Sequence, residues 1–168
     1  MNKNFKTEGI IIRKVDLNEA DRIVTVLTRD RGKIDCIAKG ARRLKSKFCG
    51  RLELFFRLNL TCFQGRDLAN LNDVQLLSGF FVEKNIDKHR ILFYISEITN
   101  KLIQSQQQIE RVYPLLLETL EILEEEESHE VILHTYLIKL LSAIGFIPPW
   151  NQCAICSNRF DLENPIFL

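Results

Sequence analysis

No run of about 18 apolar residues occurs in this chain, so it holds no stretch suited to a membrane-crossing helix. Near the N-terminus only Ile10-Ile11-Ile12 is apolar, too short for the core of a secretion signal, and a cytosolic protein with no membrane partner is expected. Cysteines number five, an odd count. Cys36, Cys49 and Cys62 lie scattered in or beside expected strands, which excludes a disulfide framework and suits buried small hydrophobes for Cys36 and Cys62. Walker A, GxSxG and GxGxxG motifs are all missing. So is a true HExxH: His129 and His134 stand five apart, about 140° round a helix, and do not share a face.

What the chain does have is an uneven charge. Its 168 residues carry a net +1. Residues 1–80 hold 16 Lys and Arg against 9 Asp and Glu, while residues 81–168 hold 7 against 13. A basic half points to a polyanionic partner, and an acidic half to something else.

The division in charge coincides with a division in structure. Glu8–Leu17 is rich in β-branched residues, and Arg22–Arg29 alternates. Asp30-Arg31-Gly32 is a hairpin turn before a third strand at Lys33–Ala38. Arg51–Phe63 reads as a long fourth strand and Leu68–Leu77 as a fifth. Five short strands at close spacing suggest a small barrel or a sandwich.

From about Asp87 the period becomes helical. Ile91, Leu92, Ile95, Ile98, Leu102 and Ile103 form one stripe; Val112, Leu115, Leu116, Thr119, Leu120 and Leu123 form a second. Ser128 suits the N-cap of a third helix, and Gly145 suits the position just past its end. Glu124–Glu127 reads as a solvated acidic run.

Between the third and fourth strands, Lys39 to Lys47 holds five basic residues in nine and no acid. Such density predicts a mobile loop without apolar anchors. It also suits a phosphate backbone, whose contacts release counterions. Lys39, Arg42, Arg43, Lys45 and Lys47 are the candidate contacts, and Arg22, Arg29, Arg31 and Lys33 could extend the patch. Phe48, Phe55, Phe56 and Phe63 offer stacking faces, of which the exposed ones are not legible. The alternative is a loop that is merely solvated.

Cys153-Ala154-Ile155-Cys156 has the spacing of half a four-ligand zinc site. Neither Cys nor His follows it in the chain. A fragment, a vestigial site and a redox dithiol remain open, the last disfavoured because the pair follows a helix and two prolines.

Four pieces in order, Glu8–Arg13, Asn18–Val24, Thr28–Lys33 and Ala38–Arg43, resemble the opening of the bacterial RecO family of recombination mediators. The likeness continues through Gly145-Phe146-Ile147-Pro148 to Cys153 and Cys156. It implies an α+β protein: a five-stranded OB-fold β-barrel over 1–80, a helical domain over 81–150 and an incomplete zinc-finger-like segment over 151–168. It also implies a cytoplasmic, nucleoid-associated protein that is not an enzyme. Such a protein binds single- and double-stranded DNA and anneals complementary strands. With a RecR-like protein it displaces single-strand-binding protein so that RecA recombinase can load. Lys39, Arg42 and Arg43 match the family's basic motif, and Cys153 and Cys156 the first half of its zinc element. Zinc is expected only if the missing ligands are supplied. The family continues with a second cysteine pair and more helix, so an incomplete chain is expected.

Two function classes emerge. The first is a DNA-binding repair mediator working through the basic loop. The second is a non-catalytic adaptor that docks partners on the acidic helical half. Whether the two halves dock on each other is left open by the sequence.

Overall fold

A computed structural model describes residues 4–66, 68–80, 86–105, 107–125 and 129–146. Five strands, β1 (Asn4–Leu17), β2 (Asp21–Thr28), β3 (Gly32–Ala38), β4 (Phe56–Phe63) and β5 (Ala69–Gly79), precede three helices, α1 (Ile86–Leu102), α2 (Val112–Glu125) and α3 (His129–Ala143). The strands close a barrel in the order β1-β2-β3-β5-β4, with β3 and β5 parallel and the other pairs antiparallel. Of barrel and sandwich, the barrel is realised, and its strand order is consistent with an OB-fold.

The Ile10-Ile11-Ile12 run explains why β1 sits where it does. Strand residues alternate between faces. Ile11 points into the barrel with Val24, Val26, Leu58 and Leu60. Ile10 and Ile12 point outward and pack with Ile95, Leu116, Leu120, Tyr136 and Leu140 from the helices. A strand buried on both faces reads as continuous apolar sequence. Each fully buried Ile stabilises the fold by about 1.5–3 kcal/mol.

The outer face of the barrel and the helices therefore share a core beside that of the barrel interior, and polar ties reinforce it. Ser96 Oγ donates to the Ile12 carbonyl. Lys33 Nζ donates to the Asn100 carbonyl at 2.5 Å, near the C-terminal end of α1. Gly32 sits so close to the loop after α1 that an added Cβ would lie 2.2 Å from the Gln107 carbonyl oxygen. Its φ of 67° also favours glycine. Within the helical layer, Thr99 Oγ1 donates to the Ile95 carbonyl at 2.6 Å, so the Tyr136 hydroxyl must donate to Thr99 at 2.5 Å.

The fourth strand starts later than the sequence suggests. Phe55 has φ 63°, and its N–H donates to the Ile11 carbonyl at 2.8 Å, so the chain turns there and enters β4 only at Phe56. Arg51–Phe55 belongs instead to the loop. Helix α3 ends as expected: Phe146 N–H donates to the Leu141 carbonyl at 2.9 Å and Gly145 N–H to the Ser142 carbonyl at 3.1 Å, with Gly145 at φ 81°. Ser128 lies outside the described residues, as do Cys153 and Cys156. Cys36 and Cys62 are fully buried with sulfurs 3.9 Å apart. Their mutual hydrogen bond and burial push the Cys36 thiol far up, so it behaves as an inert small hydrophobe. Among the described residues no helix is long and apolar enough to cross a membrane.

Candidate nucleic-acid interface

After β3 the chain enters a series of tight turns. Arg43 N–H donates to the Gly40 carbonyl, Ser46 to Arg43, Cys49 to Ser46 and Arg51 to Phe48, all within 3.1 Å. Gly40 and Gly50 take φ 68°, and the Gly40 N–H donates to Asp21 Oδ1 at 2.7 Å. Ala41, Phe48 and Leu52 are buried in the barrel cluster. The expectation of a mobile loop without apolar anchors is therefore corrected. Ala41 within it, and Phe48 and Leu52 just after it, are sunk into the core, and consecutive turn hydrogen bonds brace the segment.

The five cations do different work. Arg42 N–H donates to the Ala20 carbonyl at 2.9 Å. Its guanidinium reaches the Asn18 carbonyl at 3.0 Å and Asp16 Oδ2 at 3.3 Å. Arg42 is thus a strut between the loop and the β1–β2 turn. Arg22 shares that acid, donating to Asp16 Oδ1 at 2.8 Å, and also reaches the Leu52 carbonyl at 3.3 Å. The Arg22 hydrogen bond, helped by the charges of Arg22, Arg42 and Lys14, holds the Asp16 carboxyl below its ordinary value. Lys39, Arg43, Lys45 and Lys47 are exposed, and no ion pair to them occurs among the described residues.

Two of these cations border a groove of about 500 Å³. Lys39 and Lys47 rim it, and Ile37, Phe63, Asn70 and Asn72 line it. Ile37 pairs with Asn70 across β3–β5, and Asn70 pairs with Phe63 across β5–β4, so the three form one row over three strands. Phe63 is 38% exposed, whereas Phe48, Phe55 and Phe56 are at most 5% exposed. Of the four candidate aromatics, Phe63 is the one with appreciable exposure. Sequence reasoning missed Asn70 and Asn72. The signal was present: alternation in Ala69-Asn70-Leu71-Asn72 sends both amides outward while Ala69 and Leu71 are buried.

Arg29, Arg31 and Lys33 lie elsewhere. They flank the β2–β3 turn, and β3 separates them from the loop by roughly 20 Å at ~3.3 Å per residue. The Arg31 guanidinium stacks on Phe5 at 4.3 Å. Lys33 is spent on Asn100, and burial lowers its pKa from the ordinary lysine value. Arg29 is exposed. The hairpin cations thus sit at the opposite end of β3 from the loop, and Arg31 and Lys33 are already engaged there.

Residues 1–80 match the family model described as Recombination protein O N terminal, and residues 83–166 match Recombination protein O C terminal. The chain belongs to the RecO family of DNA repair proteins. It is 32% identical over 161 residues to the DNA repair protein RecO of Thermoanaerobacter sp. (strain X514), covering 95% of this chain and 65% of that relative. The RecO of Symbiobacterium thermophilum is 32% identical over 162 residues, covering 95% and 64%. That of Listeria welshimeri is 30% identical over 162 residues, covering 94% and 64%. The chain thus spans just under two thirds of the length of the curated relatives it matches.

The three basic residues expected from the resemblance divide by geometry. Lys39 and Arg43 face solvent, while Arg42 braces the loop that carries them. Elsewhere His129 and His134 lie in α3, and no cluster of metal-binding side chains occurs among the described residues.

Proposed function

We propose that this protein is a non-catalytic DNA-binding mediator of recombinational repair, with its phosphate contacts on the 39–47 loop. Lys39, Arg43, Lys45 and Lys47 neutralise the backbones of single- and double-stranded DNA, and by doing so for two strands they lower the repulsion that opposes annealing. Single-strand-binding protein, a RecR-like protein and RecA recombinase are its partners in loading. The observation that carries this reading is four exposed cations without ion pairs among the described residues, on a braced loop whose Lys39 and Lys47 border a groove that holds Phe63, Asn70 and Asn72. A cationic rim with one stacking ring suits single strands.

The test is a fluorescence-anisotropy titration of a short single-stranded DNA at two salt concentrations, with wild type and Arg43→Glu/Lys45→Glu. Salt-sensitive binding that the variant loses supports the reading; equal affinity in both removes the loop from it. Arg42 is left intact, because a glutamate there would face Asp16 and disturb the loop itself.

The adaptor reading has one observation in its favour: Glu118, Glu121, Glu124 and Glu125 are all exposed on α2. Truncation to residues 1–80 is a poor discriminator, since it would bare Ile10, Ile12, Leu27, Phe55 and Phe80. Charge reversal of the four glutamates in the full chain is the cleaner one, and unchanged DNA annealing there would speak against the adaptor.

A further inference from the structure

Leu44, in the middle of the basic loop, is 94% exposed, the most exposed large apolar side chain among the described residues. An apolar side chain held in water invites an occupant, although single exposed leucines are common. Its setting makes this one different. Arg42 and Arg43 precede it, and Lys45 and Lys47 follow closely. The loop beneath is held by Ala41, Phe48 and Leu52 in the core, by Arg42 on Asp16, and by successive turn hydrogen bonds. A side chain on so firm a base can press into a ligand rather than fold away from it.

Resting on the DNA-binding reading above, we infer that Leu44 is a wedge that inserts between neighbouring bases of a bound strand, unstacking them while Arg43, Lys45 and Lys47 hold the flanking phosphates. The occupant must pair a polyanionic exterior with an apolar interior reachable between repeating charges. A nucleic acid strand has that composition, and apolar wedges between base steps are an established means of unstacking. The groove bordered by Lys39 and Lys47, at the two ends of this loop, holds groups that suit a displaced base: Phe63 and the Asn70 and Asn72 amides. A vesicle surface shares the charge, but one leucine offers it little buried area. The consequence is functional. Unstacked bases present their pairing edges, which favours annealing to a second strand.

The experiment uses the full chain and a single strand carrying internal 2-aminopurine, whose emission rises on unstacking. Wild type is expected to raise emission at saturation. Leu44→Ser is expected to lose most of that rise while affinity falls no more than about threefold, because phosphate contacts carry most of the binding. Leu44→Phe is expected to keep the rise. A full rise with Leu44→Ser, or no rise with bound wild type, overturns the wedge and leaves the DNA-binding reading standing. Absence of binding by wild type overturns both. Leu44-dependent sedimentation with phosphatidylserine vesicles, without a Leu44-dependent DNA signal, assigns Leu44 to a membrane surface and also overturns the wedge.

Discussion

The Tyr113 hydroxyl donates to Glu8 Oε1 at 2.6 Å, tying α2 to β1 across the boundary between barrel and helices. The same oxygen accepts from Arg57 Nε at 2.7 Å and Nη2 at 2.6 Å, so one carboxylate joins two strands and a helix.

This junction sets a pH dependence. Burial alone would raise the Glu8 carboxyl, but the hydrogen bonds from Tyr113 and Arg57 outweigh it and hold the pKa below its ordinary 4.5. A lowered folded-state pKa means stability that is complete above the unfolded value and lost as pH falls through the folded one. Thermal melts should therefore show Tm falling below about pH 4.5 more steeply in wild type than in Glu8→Gln. At pH 7 Glu8→Gln should cost about 1–3 kcal/mol, since Arg57 loses its charged partner. Parallel pH profiles for the two proteins would exclude Glu8 as the source.

Lys33 should prove structural. Its ammonium is committed to Asn100. Lys33→Met should lower Tm while leaving single-strand affinity within about twofold of wild type, the size of effect expected where no phosphate contact is lost. A marked loss of affinity with an unchanged Tm would return Lys33 to the interface.

Arg42 should act through the loop. Limited trypsin digestion cuts after Lys and Arg, and a braced loop resists it. Arg42→Gln and Asp16→Asn should each speed cleavage within 43–47, because each removes one side of the same strut. Digestion rates equal to wild type in both variants would deny the strut its role.

Salt slopes should resolve the loop cations one by one. For a single strand each phosphate contact contributes about 0.7 to the slope of log K against log salt. Arg43→Gln and Lys45→Gln should each lower the slope by about that amount, whereas Arg31→Gln, with its guanidinium on Phe5, should lower it by less. Equal losses at all three positions would mean that both ends of β3 touch DNA.

Gly32→Ala tests the docking of the two layers. The new Cβ would collide with the Gln107 backbone, and φ 67° strains any side chain. A cost of about 1–3 kcal/mol or more is expected, read as a drop in denaturant midpoint. A variant as stable as wild type would show that the hairpin and the α1–α2 loop are not tightly packed.

Much of this was legible without coordinates, and for local reasons. Alternation marked β2 and β3, helical periodicity marked α1 and α2, and Gly145 marked the end of α3, because these signals depend only on neighbours in the chain. The late start of β4 was not legible: Leu52 and Phe55 look like strand residues until a left-handed turn at Phe55 directs one into the barrel and the other toward the helices.

The same line divides the candidate site. Sequence alone determined that the basic charge gathers at Lys39–Lys47, because charge is a property of composition and order. Only the tertiary structure decided which cations remain available. Arg42 and Arg22 meet Asp16, and Lys33 meets Asn100, 67 residues away, because chain closure brings those partners within hydrogen-bond reach. Likewise the row Ile37, Asn70 and Phe63 exists only once β3, β5 and β4 lie side by side, since register across strands is set by how the barrel closes.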